Sequence, residues 1–245
     1  MAVPLLTPLR IFIGYDTREP VAYHVLCHSI LRHASGPVSF TPLVQSSLRS
    51  QRLYTRPPDL RASTEFSLTR FLVPYLCGYD GYALFMDCDM LMRADVYELL
   101  KVTFEHPGKS VYCCQHQYTP TTGTKFLGQP QEPYKRKNWS SVMLFNAEYC
   151  KHLTKKYVNQ AMPSQLHQFD WLTSQEVGEL PLAWNYLVGE PNQSKGIPKN
   201  IHYTLGGPWF RDYQFCEYAQ EWFDELDLAC PSMNVPKPME TYAAL

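Results

Sequence analysis

The stretch Tyr82-Ala83-Leu84-Phe85-Met86-Asp87-Cys88-Asp89-Met90 sets two carboxylates, one residue apart, directly after a five-residue apolar run. An apolar run this short reads as a buried strand. Open α/β sheets bind ligands at the carboxyl ends of their strands. If the chain leaves the strand at Asp87, both carboxylates can turn toward one hard divalent cation. Mg²⁺ and Mn²⁺ prefer such oxygen ligands and bridge them to a ligand's phosphates. The competing reading is structural: Asp87 caps the next turn and Asp89 is solvated. A bare Asp-x-Asp pattern arises easily by chance, whereas an unpaired charge at the end of an apolar run is costly to bury. The residues alone leave both readings open.

Working outward, Arg10–Tyr15 (RIFIGY) reads as a buried first strand, Glu19–His33 as a helix with Val21, Ala22, Val25, Leu26, Ile30 and Leu31 at near-helical spacing, and Val38–Val44 as a second strand. This βαβ opening favours a parallel sheet. Arg49–Ser63 is polar and proline-containing, a loop. Further helices are expected over Glu65–Leu76, Val96–Lys101, Glu148–Gln160, Leu166–Val177 and Asp212–Leu226, and strands over Ser110–Cys114, Ser141–Phe145 and Ile201–Tyr203. Thr119–Lys137 and Gly189–Asn200 read as polar loops. The first is long enough to be functional or mobile, and its basic run Lys135-Arg136-Lys137 reads as solvated, the alternative being a grip on phosphate or an acidic partner.

The 245 residues suit one sizeable core, so one domain is expected over residues 1–245: a ligand-binding half over 10–115, a second half over 116–228, and a proline-rich tail over 229–245. A formal net charge of −1 argues against nucleic acid as a partner and against anionic lipid held by a polybasic tail. The 8 cysteines form no Cys-x-x-Cys pair and suggest free thiols in a reducing compartment. Met1–Leu9 is too short and proline-broken for a signal peptide, and no run approaches a membrane span. A cytoplasmic protein without an integral membrane segment is therefore expected, with work at the inner membrane leaflet left open.

YALFMDCDM resembles the strand and Asp-x-Asp motif of GT-A glycosyltransferases, especially glycosyltransferase family 8 and its relatives. Other segments follow in the same order from about residue 10 to residue 210: IFIGYD, STEFSLTRFLVPYL, WSSVMLFN, LPLAWNYLVG and IHYTLGGPW. The resemblance implies an α/β fold of the GT-A type, a Rossmann-like, mainly parallel mixed sheet flanked by helices. It implies a metal-dependent transfer of a hexosyl group from a nucleoside diphosphate sugar, a UDP-sugar above all, to an acceptor hydroxyl on a saccharide, lipid-linked or small molecule. A nucleotidyltransferase of similar fold is the first alternative, although Gly14-Tyr15-Asp16-Thr17-Arg18 lacks the glycine richness of a triphosphate loop. A catalytically silent nucleotide- or sugar-binding protein is the second.

By that resemblance Asp87, Asp89 and His202 hold Mn²⁺ or Mg²⁺. Left to itself, His202 reads as a lone loop histidine. Tyr15 would stack on the base and Asp16 accept from base or ribose, against the plainer reading of Asp16 as a turn-starting residue. Arg70 would pair with Asp87 and keep it ionised, or touch the donor, the alternative being a wet helix face. Asp170 would bind the acceptor or act as general base, which an inverting transfer requires, unless it is a helix N-terminal carboxylate. Trp171, Trp184 and above all Trp209 could be sugar platforms, and Trp139 and Ser140 would lie near the acceptor. Two departures stand out. The family's His-x-x-Gly-x-x-Lys-Pro-Trp is one residue shorter here and lacks the lysine that grips the diphosphate, leaving Arg70, Lys195, Lys199, Arg211 or the backbone N–H groups of Gly206 and Gly207 to meet that charge. Phe169 occupies the slot where the family often has glutamine.

Overall fold

A computed structural model describes residues 7–59, 62–117, 123–125, 129–131, 136–190 and 196–231. The chain opens β1 (Leu9–Tyr15), α1 (Pro20–His33), β2 (Val38–Val44) and α2 (Gln45–Ser50). It continues through α3 (Val73–Leu76), β3 (Tyr82–Met86), β4 (Met90–Met92), α4 (Glu98–Glu105) and β5 (Val111–Cys114). A short hairpin of β6 (Gly123–Lys125) and β7 (Gln129–Gln131) follows. Next come β8 (Val142–Asn146), α5 (Lys155–Gln160), α6 (Pro163–His167), β9 (Val177–Leu180), β10 (Tyr186–Leu187), β11 (Asn200–His202) and α7 (Ala219–Ala229).

The central sheet has the order β2-β1-β3-β8-β5-β9. Only β8 runs against its neighbours; β1 pairs parallel with β2 and β3, and β5 with β9. Strands β3, β5 and β8 are buried on both faces, as a sheet covered on both sides requires. A second sheet, β10-β11-β4, lies at the carboxyl end of β3. Its own apolar cluster of Val25, Leu91, Val188, Ile201, Tyr203, Trp222 and Leu226 joins it to α1 and α7.

The expected parallel opening and the strand at Tyr82–Met86 are present. Several expected helices are shorter or shifted, each for a local reason. The segment 65–76 is helical only from the 3-10 turn Thr69–Leu72 onward, because Ser67 Oγ and Thr64 bond each other in a local turn that competes with the helix. The segment 148–160 narrows to α5, which starts where Thr154 Oγ accepts from Tyr157 N–H. The segment 166–177 divides into α6, a left-handed residue at Phe169 (φ 57°), a 3-10 turn capped by Thr173 and Glu176, and the unforeseen strand β9. The final helix begins at Ala219 rather than at Asp212, after a left-handed Tyr218 (φ 61°). The expected loop from Arg49 begins inside α2. The expected loop over 119–137 carries the β6–β7 hairpin.

Candidate functional site

The Asp-x-Asp segment is the crossing between the two sheets. Strand β3 ends at Met86, Asp87 N–H donates to Ser141 O at the start of β8, and the chain re-enters as β4. Strand β4 pairs antiparallel with β11, Met90 opposite His202, and Tyr203 N–H donates to Asp89 O. Register alone thus carries His202, 113 residues later in the chain, to the side of Asp89 (202 − 89 = 113).

Asp87, Asp89 and His202 each present a ligand atom, all within 4.8 Å of one another. His202 Nε2 lies 3.3 Å from Asp89 Oδ1 and 3.9 Å from Asp87 Oδ2. Two ligands about 2.1 Å from one ion at right angles would stand about 3 Å apart, so this spacing suits a small divalent cation. The charges suit it too. Asp87 is held above the usual carboxylate range, first by burial and then by Asp89 beside it, while Arg70 and His202 oppose the rise. Asp89 Oδ1 is buried without a hydrogen-bond partner. A bound cation would relieve all of these.

The histidine is oriented for ligation. Asn185 Nδ2 donates to Asn138 O at 3.1 Å, which turns its Oδ1 toward His202 Nδ1 at 2.8 Å. Nδ1 must then carry the proton, and Nε2 faces the carboxylates. This is how metal-binding imidazoles are commonly fixed. Asn185 escaped the reading of the sequence because an amide between Trp184 and Tyr186 resembles core; the one signal was its place in the LPLAWNYLVG segment.

Arg70 is buried and its Nη1 sits 2.8 Å from Asp87 Oδ1 while also donating to Ser140 O. Its guanidinium lies against the rings of Phe66 and Phe85. Ser140 Oγ meets His167 Nδ1 at 2.9 Å, extending the network outward. Glu19, 4% exposed just before α1, is a further buried acid beside the cluster. Burial, Asp89 and Asp16 push its carboxyl up, and Cys88 Sγ donates to it.

Other expected residues are engaged within the protein. Asp16 is fully buried, and each of its oxygens accepts two hydrogen bonds: Oδ1 from Arg18 N and Nε, Oδ2 from Arg18 Nη2 and Glu65 N. A carboxylate has about four such sites, so Asp16 here braces the loop after β1. Tyr15 ends β1 with its ring edge-on to Tyr23. Gly206 N–H donates to Tyr203 O in a turn, which removes it as a phosphate donor. Both glycines also have a packing reason. At Gly206 (φ 136°) a Cβ would meet the Tyr213 ring, and at Gly207 the Trp209 ring at 2.0 Å. Trp209, half-buried, packs against Tyr203, Phe210 and Trp222, and Trp171 and Trp184 are buried. Lys199 pairs with Glu98 and lies over Trp184. Arg211 is exposed. Lys135 and Lys195 lie outside the described residues.

Asp170 is exposed on the turn after α6, and Tyr157 of α5 feels its charge; the structure does not bring it into the cluster. The basic run is not solvated at Lys137, which is 1% exposed and lies 3.6 Å from Glu190, nor at Arg136, which donates to Gln168 O and stacks on Trp139. Arg136 and Asn138 on either side of Lys137 are left-handed, a costly arrangement kept where surroundings over-determine it.

All 8 cysteines are free, and no helix among the described residues is long and apolar enough to cross a membrane. No protein-family model matches the chain. Among solved structures it is similar in fold to the bifunctional glycosyltransferase WbbM, with a TM-score of 0.63 at 17% identity, over 98% of this chain but 52% of that one, so it spans about half of WbbM. It is also similar to the galactosyltransferase LgtC, solved with donor and acceptor sugar analogs, with a TM-score of 0.56 at 12% identity over 90% of this chain and 96% of that one. The mainly parallel mixed sheet flanked by helices is thus the GT-A fold. In sequence the chain is 44% identical to Protein CDI of Arabidopsis thaliana over 226 residues, 90% of this chain and 86% of that protein, and it belongs to the family of Protein CDI.

Proposed function

We propose that the chain is a metal-dependent glycosyltransferase that moves a hexosyl group from a nucleoside diphosphate sugar to an acceptor hydroxyl. The observation that carries this is the Asp87–Asp89–His202 cluster, three convergent ligand atoms at the carboxyl end of β3 in a GT-A fold. Asp87, Asp89 and His202 hold Mn²⁺ or Mg²⁺. Arg70 keeps Asp87 ionised and aimed, and Asn185 sets the His202 tautomer. The bound ion supplies Lewis-acid stabilisation of the charge that develops on the leaving diphosphate. The donor is a UDP-sugar, and the acceptor is a saccharide, lipid-linked or small-molecule hydroxyl. This reading assigns no proton to Asp170.

The test is thermal melting with UDP, GDP, CDP, ADP and dTDP, each with and without Mn²⁺. A ligand binding only the native state at about 100 times its Kd adds about 2.7 kcal/mol. A shift with UDP that needs Mn²⁺, and that disappears in Asp87→Ala and Asp89→Ala, is expected. A folded Asp87→Ala/Asp89→Ala double variant that still binds UDP in a Mn²⁺-dependent way would sink the metal assignment.

A further inference from the structure

His116 lies two residues past β5, at the edge of the cluster but not in it. It is 7% exposed. Its ring lies beside the backbone of Asn185, while the side chain of that same residue holds His202. The two imidazoles therefore neighbour the same asparagine, and the ring of His116 lies within electrostatic reach of His202. Trp139 Nε1 donates to His116 O at 2.9 Å and locks the backbone. Yet His116 Nε2 is buried without a hydrogen-bond partner. An orphaned polar atom of this kind calls for an explanation. Metal ligation is not that explanation, because the convergent ligand set is Asp87, Asp89 and His202.

Burial, with His202 nearby, pushes His116 down to about 4, so the ring is neutral near pH 7. A neutral imidazole has one nitrogen that donates and one that offers a lone pair, and Nε2 is the buried nitrogen left without a partner. Its natural partner is a hydroxyl, because a phosphate or carboxylate has no proton to give it. Sugars and attacking water both supply hydroxyls. We propose that His116 Nε2 accepts a hydrogen bond from a hydroxyl of the reacting pair, either on the transferred hexosyl group or on the nucleophile that attacks it. This rests on the transferase reading above. It makes His116 a substrate-contacting residue that fixes sugar position beside the metal.

The experiment compares wild type, His116→Phe and His116→Gln, the last placing an amide oxygen near the position of Nε2. Affinities for UDP and for UDP-glucose, UDP-galactose and UDP-N-acetylglucosamine are measured by calorimetry with Mn²⁺, together with the rate of donor hydrolysis at saturating donor. His116→Phe is expected to bind UDP within about twofold of wild type, which shows that the nucleotide and metal sites are intact. It should lose about tenfold in affinity for the best-bound UDP-sugar if the hydroxyl belongs to the transferred group, or about tenfold in hydrolysis rate if it belongs to the nucleophile. His116→Gln should recover most of the loss. His116→Phe that equals wild type in both readouts overturns the assignment of His116. Wild type that binds none of the five nucleoside diphosphates with Mn²⁺ overturns the transferase reading instead.

Discussion

Asn185 touches neither carboxylate, yet replacing it with leucine should weaken metal binding. Leucine keeps the γ-branched shape, with somewhat more bulk, and removes two hydrogen bonds, to His202 Nδ1 at 2.8 Å and to Asn138 O at 3.1 Å. Both partners are buried, and each orphaned group costs about 1–3 kcal/mol. Asn185→Leu should therefore lose about 2–6 kcal/mol of stability, less than the roughly 10 kcal/mol of a domain of ordinary stability. The freed imidazole can turn and change tautomer, and loss of such an anchor lowers metal affinity about 10–100-fold. With Mn²⁺ fixed at about 100 times the wild-type Kd, the ion stabilises wild type by about 2.7 kcal/mol and the variant by only about 0.4–1.4 kcal/mol. Urea unfolding in EDTA and in Mn²⁺ separates the two effects, the first giving the structural cost and the difference giving the linkage. The reasoning fails if Asn185→Leu loses stability in EDTA but gains as much from Mn²⁺ as wild type does.

Stability should also depend on pH through His116. Its folded pKa is about 4 because burial disfavours the charged ring, against about 6.5 when unfolded. The group is depressed on folding, so its contribution is complete above about pH 6.5 and is lost as pH falls toward 4, by about 3 kcal/mol in all. In EDTA, His116→Gln should flatten the decline of unfolding free energy over that window, and an unchanged slope would refute the assignment. Gly207→Ala should cost about 1–3 kcal/mol, because the added methyl would lie 2.0 Å from the Trp209 ring and displace its packing on Tyr203 and Trp222. A melting temperature and tryptophan fluorescence unchanged from wild type would show that the ring yields freely.

Local pattern carried the central elements. Tyr82–Met86 is apolar throughout because β3 lies between β1 and β8 with both faces covered, and its abrupt end at Asp87 is where the sheet gives way to the site. The pairing of Arg70 with Asp87 was legible because a buried carboxylate needs a cation and Arg70 sits in an apolar segment. His202 was reached only through the order of motifs, since nothing within a few residues of it announces that β11 will pair with β4. Asp16 shows the opposite limit. Its place at a strand end suggested a ligand contact, but Arg18, two residues on, folds back and saturates it. Lys137 is buried in a run that looked solvated, because the segment doubles back in left-handed turns that pattern does not encode. The Ser67–Thr64 bonds and the left-handed Phe169 divided segments whose apolar spacing looked helical.

The crossing from β3 to β4 gives the cluster a second consequence. Asp87 ends the six-stranded sheet, while Asp89 and His202 border the three-stranded one. An ion held at this point would be a rivet between two layers, and without it a buried and a half-buried carboxylate face each other across the seam. Loading the ion and seating the smaller sheet, with α7 behind it, would then be thermodynamically coupled. Hydrogen exchange at Ile201–Tyr203 should then slow when Mn²⁺ is added.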